Sequence, residues 1–160
     1  MNYEKELLIE QIHKLDEKRK LSETVGPDYF EPGKMEYLEE YKGDYDDNTG
    51  SFLIRFESKG TRYNGRTEQI EKVKAGDSLE IRRDPENQYN KNNFLIYTKK
   101  GFDVGNMPAE LCNVIAPLYD SEKLVIDRAA VSFADPISKR SRYAKQAVLF
   151  VEVEGHIYES

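Results

Sequence analysis

The stretch IRRDPENQYNKNNFLIY, residues 81–97, joins the end of one predicted strand to the start of the next through a proline and a polar turn. Pro85 cannot donate a hydrogen bond to a sheet, and the four asparagines after it are typical of a turn whose side chains bond the local backbone. The same region carries cationic and aromatic groups on Arg82, Arg83, Tyr89 and Lys91. Because sites are often carried on exposed loops, this loop is either an ordinary polar connection or a ligand site.

On both sides of this stretch the pattern is typical of β-structure. SFLIRFESK, residues 51–59, alternates Phe52, Ile54 and Phe56 with other side chains, as in a half-buried strand. Further strands are predicted in GDSLEIRR, in the hairpin NFLIYTKKGFDVGNM, and in LVIDRAAVSF and KQAVLFVEVEG, while PAELCNVIAPLYD predicts a helix. Six short strands with one inserted helix predict a small closed or nearly closed barrel, because closure removes exposed sheet edges.

The N-terminal part of the chain predicts a separate element. Residues 3–21 place Leu8, Ile12 and Leu15 on one face of a helix, and this stripe is expected to pack on the barrel or on a second copy of the chain. GDYDDNTG has the composition of a turn-rich acidic linker. The predicted division is therefore an N-terminal helix and acidic linker over residues 1–48 and a barrel domain over residues 49–157.

Charge is distributed unevenly along the chain, whose formal net charge is −6. Residues 1–58 contain 8 basic and 15 acidic residues, whereas residues 59–100 contain 10 basic and 6 acidic residues. Positive charge therefore collects around the 81–97 stretch, which favours an anionic ligand there. A second basic group, SKRSRYAK at residues 138–145, is either a solvated loop or part of the same anion-binding surface.

The residue types that most enzymes need are not grouped in this sequence. His13 and His156 lie near opposite ends of the chain and form no metal or triad spacing with Cys112, the only cysteine. Cys112 lies among apolar residues and is expected to be a buried structural thiol. The glycines of GTRYNGRT are not followed by the Lys-Ser/Thr pair of a phosphate loop. We therefore expect no enzymatic activity, no cofactor and no bound metal.

Targeting signals are also not evident. No apolar run approaches the roughly 18 residues of a membrane span, and no basic leader precedes an apolar block. A soluble, cytoplasmic protein without a membrane partner is therefore expected. The sequence does not specify the oligomeric state.

Three blocks of the sequence, in order, resemble the HIRAN domain family. They are GTRYNGR at residues 60–66, RRDPENQYNKNN at residues 82–93 and KKGFDVGNMPAEL at residues 99–111. The family pattern has a Gly-x-Arg-Tyr-Tyr block, an Arg-(Asp/Glu)-Pro-x-Asn-x-Tyr-Asp block and a Gly-x-x-(Ile/Val)-Gly-x-(Leu/Met)-Pro block. The resemblance covers about residues 50–155. It implies a small six-stranded OB-like barrel. With the N-terminal helix, which lies outside the resemblance, the expected fold is mainly β with added helices.

The resemblance also implies binding of single-stranded DNA, with the nucleotide at a 3′ end held in a pocket on the barrel. The residues that it assigns to this pocket are Arg62, Tyr63, Asn87, Tyr89, Asn90, Lys91 and Asn106. Tyr63 and Tyr89 would stack bases, and Arg62 would meet phosphate or sugar. Asn90 stands where the family usually has an aspartate that accepts from the terminal hydroxyl, and Asn106 stands where it usually has histidine or tyrosine. Both departures imply weaker binding of the 3′ end.

Two main classes of function stay open at this point, and an unrecognised hydrolase is a third alternative. One is a non-catalytic module that binds single-stranded DNA, and the other is a protein-interaction module that binds a peptide or a partner domain through the same rim. Binding to DNA should weaken steeply with salt, whereas a largely apolar protein contact should not. Residues 1–48 would dock a protein partner, cover the basic face or simply pack on the barrel.

Overall fold

The computed structural model describes residues 3–24, 37–139 and 146–158. In chain order the elements are α1 (Tyr3–Thr24), β1 (Lys42–Tyr45), β2 (Ser51–Glu57), α2 (Arg66–Ile70), β3 (Leu79–Arg83), β4 (Phe94–Thr98), β5 (Asp103–Asn106), α3 (Ala109–Asp120), β6 (Leu124–Asp135) and β7 (Val148–Ile157). Single turns of 3₁₀ helix occur at Leu38–Glu40 and Ile137–Lys139.

The strands form two antiparallel sheets that share one core. The first sheet has the order β1-β2-β7-β6, and the second has the order β3-β4-β5. In β2 every second side chain is buried, as the sequence predicts, and Phe56 is fully buried with Phe94 of the second sheet. Helix α3, which the sequence also predicts, adds Leu111, Ile115 and Leu118 to the buried set.

The two sheets are not closed into the barrel that the sequence predicts, and the described residues contain seven strands instead of six. Isolated bridges link the sheets, Lys59 with Asn106 and Ser78 with Ala130. Gly60 and Gly76, which follow the first bridge and precede the second, both have positive φ angles, of 71° and 95°. A mainly β fold with an N-terminal helix is therefore confirmed. Of the predicted closed or nearly closed barrel, full closure is wrong, and the count of six strands is not confirmed.

The additional strand is β1, which lies in the segment that the sequence predicts to be a linker. β1 pairs with β2, and Gly43 lies opposite Ile54. The division at residues 48 and 49 stays a prediction. In the structure, hydrogen bonds between β1 and β2 cross this position.

Helix α1 packs its predicted face on the protein core. Leu8 and Ile12 are fully buried, and Leu15 packs against the same cluster, so packing of this stripe on the sheets is confirmed. The helix ends at Thr24 and not near residue 21. Neither α1 nor any other helix in the described part of the chain is long and apolar enough to cross a membrane.

Gly43 permits the close approach of α1 to β1. A Cβ atom at this position would lie 1.8 Å from the Ile12 carbonyl oxygen, so α1 would have to move off the strand. We therefore expect Gly43→Ala to lower the free energy of unfolding by about 1–3 kcal/mol, the usual cost of overpacking. Denaturant unfolding measures this change. Asp44→Ala, at the neighbouring exposed position, is the control, and equal stability of the two variants would contradict the close packing.

Candidate nucleic-acid interface

A cavity of about 880 Å³ opens between the connection after β2 and the loop that joins β3 to β4. We call it the rim cavity. Two tyrosines line it together with polar side chains, among them Tyr63, Tyr89, Arg66, Asp84, Asn87 and Asn106. Two connections that are separate in the sequence therefore meet at one site.

The two tyrosine rings at the rim cavity are open to solvent. Tyr63 is 59% exposed and Tyr89 is 87% exposed. Backbone hydrogen bonds from Tyr63 N to Gly60 O and from Arg66 N to Tyr63 O hold the first ring in a tight turn. The Arg62 guanidinium lies 5.5 Å from the centroid of the Tyr63 ring. Aromatic faces beside a cation are the groups that bind unpaired bases and their phosphates.

Hydrogen bonds of asparagine side chains stabilise the loop that carries Tyr89. Asn87 Oδ1 accepts from the backbone N–H groups of Tyr89 and Asn90, at 2.9 and 3.0 Å. Asn87 Nδ2 donates to Asp84 Oδ2 at 3.0 Å. Asn93, which is 7% exposed, donates from Nδ2 to the same Asp84 oxygen and to Asn106 Oδ1. The predicted asparagine turn is therefore confirmed, and its hydrogen bonds run from the loop to β5.

An ion pair forms the floor of the rim cavity. Nε and Nη2 of Arg66 donate to the two carboxylate oxygens of Asp103, each at 3.0 Å, and Nη1 donates to Gly60 O at 3.1 Å. The Arg66 side chain is only 6% exposed. Asp103 neutralises this guanidinium, so Arg66 adds no net positive charge to the cavity.

Asp84 is the remaining charged side chain that lines the rim cavity. Its Oδ2 atom accepts from both Asn87 and Asn93, at 3.0 Å each. Its Oδ1 atom makes no hydrogen bond to any residue that the structure describes. The site therefore combines exposed rings with a carboxylate oxygen that is free to accept from a ligand hydroxyl.

The structure brings some of the predicted site residues together and separates others. Tyr63, Asn87, Tyr89 and Asn106 line the rim cavity. Arg62 lies beside the cavity through its contact with Tyr63.

Asn90 and Lys91 lie on the same loop but are outside the lining that the structure describes. The Asn90 carboxamide turns to α3, where Nδ2 donates to Asn113 Oδ1 at 3.0 Å. Its Oδ1 accepts from Asn92 N at 3.0 Å. Lys91 is exposed to solvent.

The two arginines at the start of the loop are engaged within the fold. Arg83 donates from Nε and Nη2 to the carboxylate of Asp120, at 2.9 Å each. This hydrogen bonding raises the pKa of Arg83 and lowers the pKa of Asp120. Arg82 lies 4.2 Å from the Tyr97 ring centroid and donates to Glu80. Neither guanidinium is directed into the rim cavity.

Two further predictions concerned the thiol of Cys112 and the second basic group. Cys112 is fully buried, its thiol lies 3.3 Å from Met107 O, and burial raises the pKa of this thiol to about 11. The structural thiol is therefore confirmed. The second basic group falls on residues 138–145, where residues 140–145 and the side chain of Lys139 lie outside the described residues.

Comparison with known proteins identifies related sequences and folds. A family model described as the HIRAN domain matches residues 51–156. The chain is similar in fold to the crystal structure of the HIRAN domain of human HLTF, with 23% identity, 69% of this chain and 82% of that chain covered, and a TM-score of 0.50. No curated protein matches the sequence.

Two further solved structures are less similar. A crystal structure of a Lactobacillus plantarum protein has 18% identity, covers 67% of this chain and 100% of that chain, and gives a TM-score of 0.49. An NMR structure described as the HLTF HIRAN domain in its DNA-bound conformation has 21% identity, covers 67% of this chain and 76% of that chain, and gives a TM-score of 0.46.

Proposed function

Because the chain belongs to the HIRAN domain family through residues 51–156, we propose that it binds single-stranded DNA and receives an exposed 3′ end in the rim cavity, without catalysing a reaction. DNA is named as the ligand of another member of the family, the HIRAN domain of HLTF. The observation that carries the proposal is the pair of exposed tyrosines, Tyr63 and Tyr89, on one cavity.

Stacking is the contribution expected from the tyrosines. Their exposed faces leave apolar surface in water, and an unpaired base would cover that surface. A base stacked on an aromatic side chain typically contributes about 1–3 kcal/mol to binding. Because any base has such a face, these contacts favour single strands without selecting a sequence.

The charges of the rim cavity suit a nucleoside with a free hydroxyl better than a phosphate. Arg66 is neutralised by Asp103, whereas Asp84 has one carboxylate oxygen without a hydrogen bond in the described residues. A carboxylate accepts a strong hydrogen bond from a hydroxyl and repels a phosphate. Asp84 would thus take the role that the family pattern assigns to the position of Asn90.

Binding without catalysis is supported by the positions of the nucleophilic and basic groups. Cys112 is buried, and burial raises the pKa of its thiol. His13 belongs to α1, and His156 lies in β7 with its Nδ1 atom 2.6 Å from Asp127. Neither histidine lines the rim cavity in the part of the chain described. An oligonucleotide recovered intact after incubation would agree with this part of the proposal.

Discrimination between 3′ ends tests the role of Asp84. We expect the wild-type protein to prefer an oligonucleotide with a 3′ hydroxyl over the same oligonucleotide with a 3′ phosphate. Asp84→Asn should reduce this preference by roughly fivefold or more, since it puts an NH2 donor in place of the open, charged acceptor, and a hydrogen bond to a charged group typically contributes about 1.5–3 kcal/mol. Fluorescence anisotropy with both oligonucleotides, at one fixed salt concentration, measures the change. The carboxamide oxygen of this variant would still accept from Asn87 and Asn93.

A second variant checks the assignment of the acceptor. Asn90→Asp restores the aspartate of the family pattern but places it beside Asn113, so we expect no gain in preference for the 3′ hydroxyl. A gain with Asn90→Asp and no effect of Asp84→Asn would return the acceptor role to position 90. Equal wild-type affinity for the two 3′ ends would contradict recognition of the 3′ end, and affinity independent of salt would favour the protein-interaction module.

A further inference from the structure

A second cleft, of about 550 Å³, lies next to the rim cavity between the end of α2 and the tip of the β4–β5 hairpin. We call it the lysine cleft and define it by Lys72, Lys99, Lys100 and Phe102, which line it. We infer that the lysine cleft binds the phosphates and one base of a single-stranded nucleic acid beyond its terminal nucleotide. This inference rests on the proposed function, which places the 3′ end in the rim cavity.

The two sites are neighbours across α2 and β5. Arg66 of α2 lines the rim cavity, and Gln69, one helical turn later, lines the lysine cleft. Asp103 lines the first site and the preceding residue, Phe102, lines the second. Because nearby backbone positions line the two sites, we expect a nucleic-acid strand that leaves the rim cavity to continue into the lysine cleft.

The lysine cleft carries three cations that no carboxylate of a described residue neutralises, although Lys72 lies near the Phe102 ring. Its three lysines form no ion pair with any residue in the described ranges. By contrast, the cations paired with carboxylates include Lys14, Lys20, Lys42, Arg55, Arg66, Arg83 and Arg128. Three like charges around one cleft repel each other, and a bound phosphate chain would relieve this repulsion.

The carboxylate in the lysine cleft does not cancel its charge. Asp77 is the acidic residue among the described residues that line the cleft, and its Oδ2 atom accepts from Lys74 N at 3.0 Å. Three lysines against one aspartate leave an excess of positive charge. The charged residues of the rim cavity are Arg66, Asp84 and Asp103, so the excess there is negative. Phosphates are therefore expected at the cleft and the terminal nucleoside at the cavity.

Phe102 gives the lysine cleft an aromatic face. Its side chain is 45% exposed at the hairpin tip, and Lys72 Nζ lies 5.7 Å from the ring centroid. Phenylalanine has no hydroxyl to hydrate, so exposure of its ring favours contact with another apolar surface. An aromatic face next to unpaired ammonium groups is the combination that binds bases and phosphates of single strands. Gly76 also lines the cleft, and the space beside it is open, since a Cβ atom there would meet nothing within 4 Å.

The test compares a dinucleotide, dT2, with a dodecanucleotide, dT12, each with a free 3′ hydroxyl and a 5′ fluorophore. dT2 is chosen because it is short, so that it occupies the rim cavity without the lysine cleft, whereas dT12 is long enough to occupy both sites. For dT12, the slope of log K against log salt should be less steep by about 2 in the variant Lys72→Gln/Lys99→Gln/Lys100→Gln than in the wild type. Each of the three phosphate contacts that are lost contributes about 0.7 to this slope. The affinity for dT2 should be unchanged.

A matched variant controls for the loss of three positive charges. Lys14→Gln/Lys20→Gln/Lys42→Gln removes the same charge from paired lysines on α1 and β1. This control should keep most of the wild-type salt slope. Phe102→Ala should lower dT12 affinity by roughly 5- to 150-fold and leave dT2 affinity unchanged. Circular dichroism and a thermal melt check that each variant is folded.

The outcomes separate this inference from the proposed function. A lysine variant that keeps the wild-type slope and dT12 affinity overturns the inference, while loss of dT2 binding in Tyr63→Ala/Tyr89→Ala would still support the proposed function. An unaffected tyrosine variant together with a weakened lysine variant overturns the proposed function and retains the cleft as the anionic site. Failure of the wild-type protein to bind dT12 at low salt overturns both.

Discussion

Alanine at both Tyr63 and Tyr89 is expected to lower the affinity for single-stranded DNA with a free 3′ hydroxyl by roughly 30-fold or more. Each ring would stack a base, and two such contacts together contribute about 2–6 kcal/mol. The fold should be retained, because both side chains are mostly exposed and substitutions at such positions change stability little.

Fluorescence anisotropy with a 5′-labelled oligonucleotide measures this loss, and a thermal melt checks the fold. The matched control is Tyr3→Ala/Tyr158→Ala, which removes two other exposed tyrosines, 66% and 49% accessible, that do not line the rim cavity. If the control loses as much affinity as the test variant, the rim cavity is not the binding site.

The second large effect is expected on stability, from Asp103→Ala. This change would leave the buried Arg66 guanidinium with the Gly60 carbonyl as its partner in the described residues. It also removes the acceptor for Gly105 N. Loss of one member of a buried ion pair typically costs about 3–5 kcal/mol, because the other charge stays buried without compensation. We expect a loss of this size in the free energy of unfolding, measured with denaturant.

A double variant separates the charge from the packing. Arg66→Met/Asp103→Leu replaces the pair by apolar side chains and should recover much of the stability, since such replacements are often neutral or stabilising. Glu80→Ala is the control, because it breaks the exposed ion pair with Arg82, and exposed pairs typically contribute about 0–1 kcal/mol. A loss in Asp103→Ala no larger than in Glu80→Ala would mean that the ion pair does not stabilise the floor of the cavity.

Local patterns predicted most of the elements of this fold. The alternation in residues 51–59 and the apolar spacing in α3 depend on neighbours in the sequence, so they could be recognised before the structure. β1 could not, because KGDY has no apolar alternation and becomes a strand only through its pairing with β2. Closure of the barrel was not predictable from local patterns, because it depends on how the edges of the two sheets pair across the fold.

The candidate site was predictable in part, for a similar reason. Tyr63 and Tyr89 belong to sequence blocks shared with the HIRAN family, and that family assignment is confirmed. The pairing of Arg66 with Asp103 joins residues 37 positions apart, and no local pattern indicates it. Asp84 belongs to the 81–97 stretch, yet its open oxygen depends on where Asn87 and Asn93 donate. The roles of all these residues in binding stay predictions.

The hydrogen bonds of the asparagine loop have a consequence for the thermodynamics of recognition. Asn87 fixes the backbone at Tyr89 and Asn90, and Asn93 ties the loop to β5 through Asn106. The loop is thus preorganised, so little conformational entropy is lost when a ligand arrives. A preorganised site gains affinity without additional contacts. It also resists reshaping around a poorly fitting ligand, so the proposed selectivity for the 3′ end would depend on the rigidity of this loop.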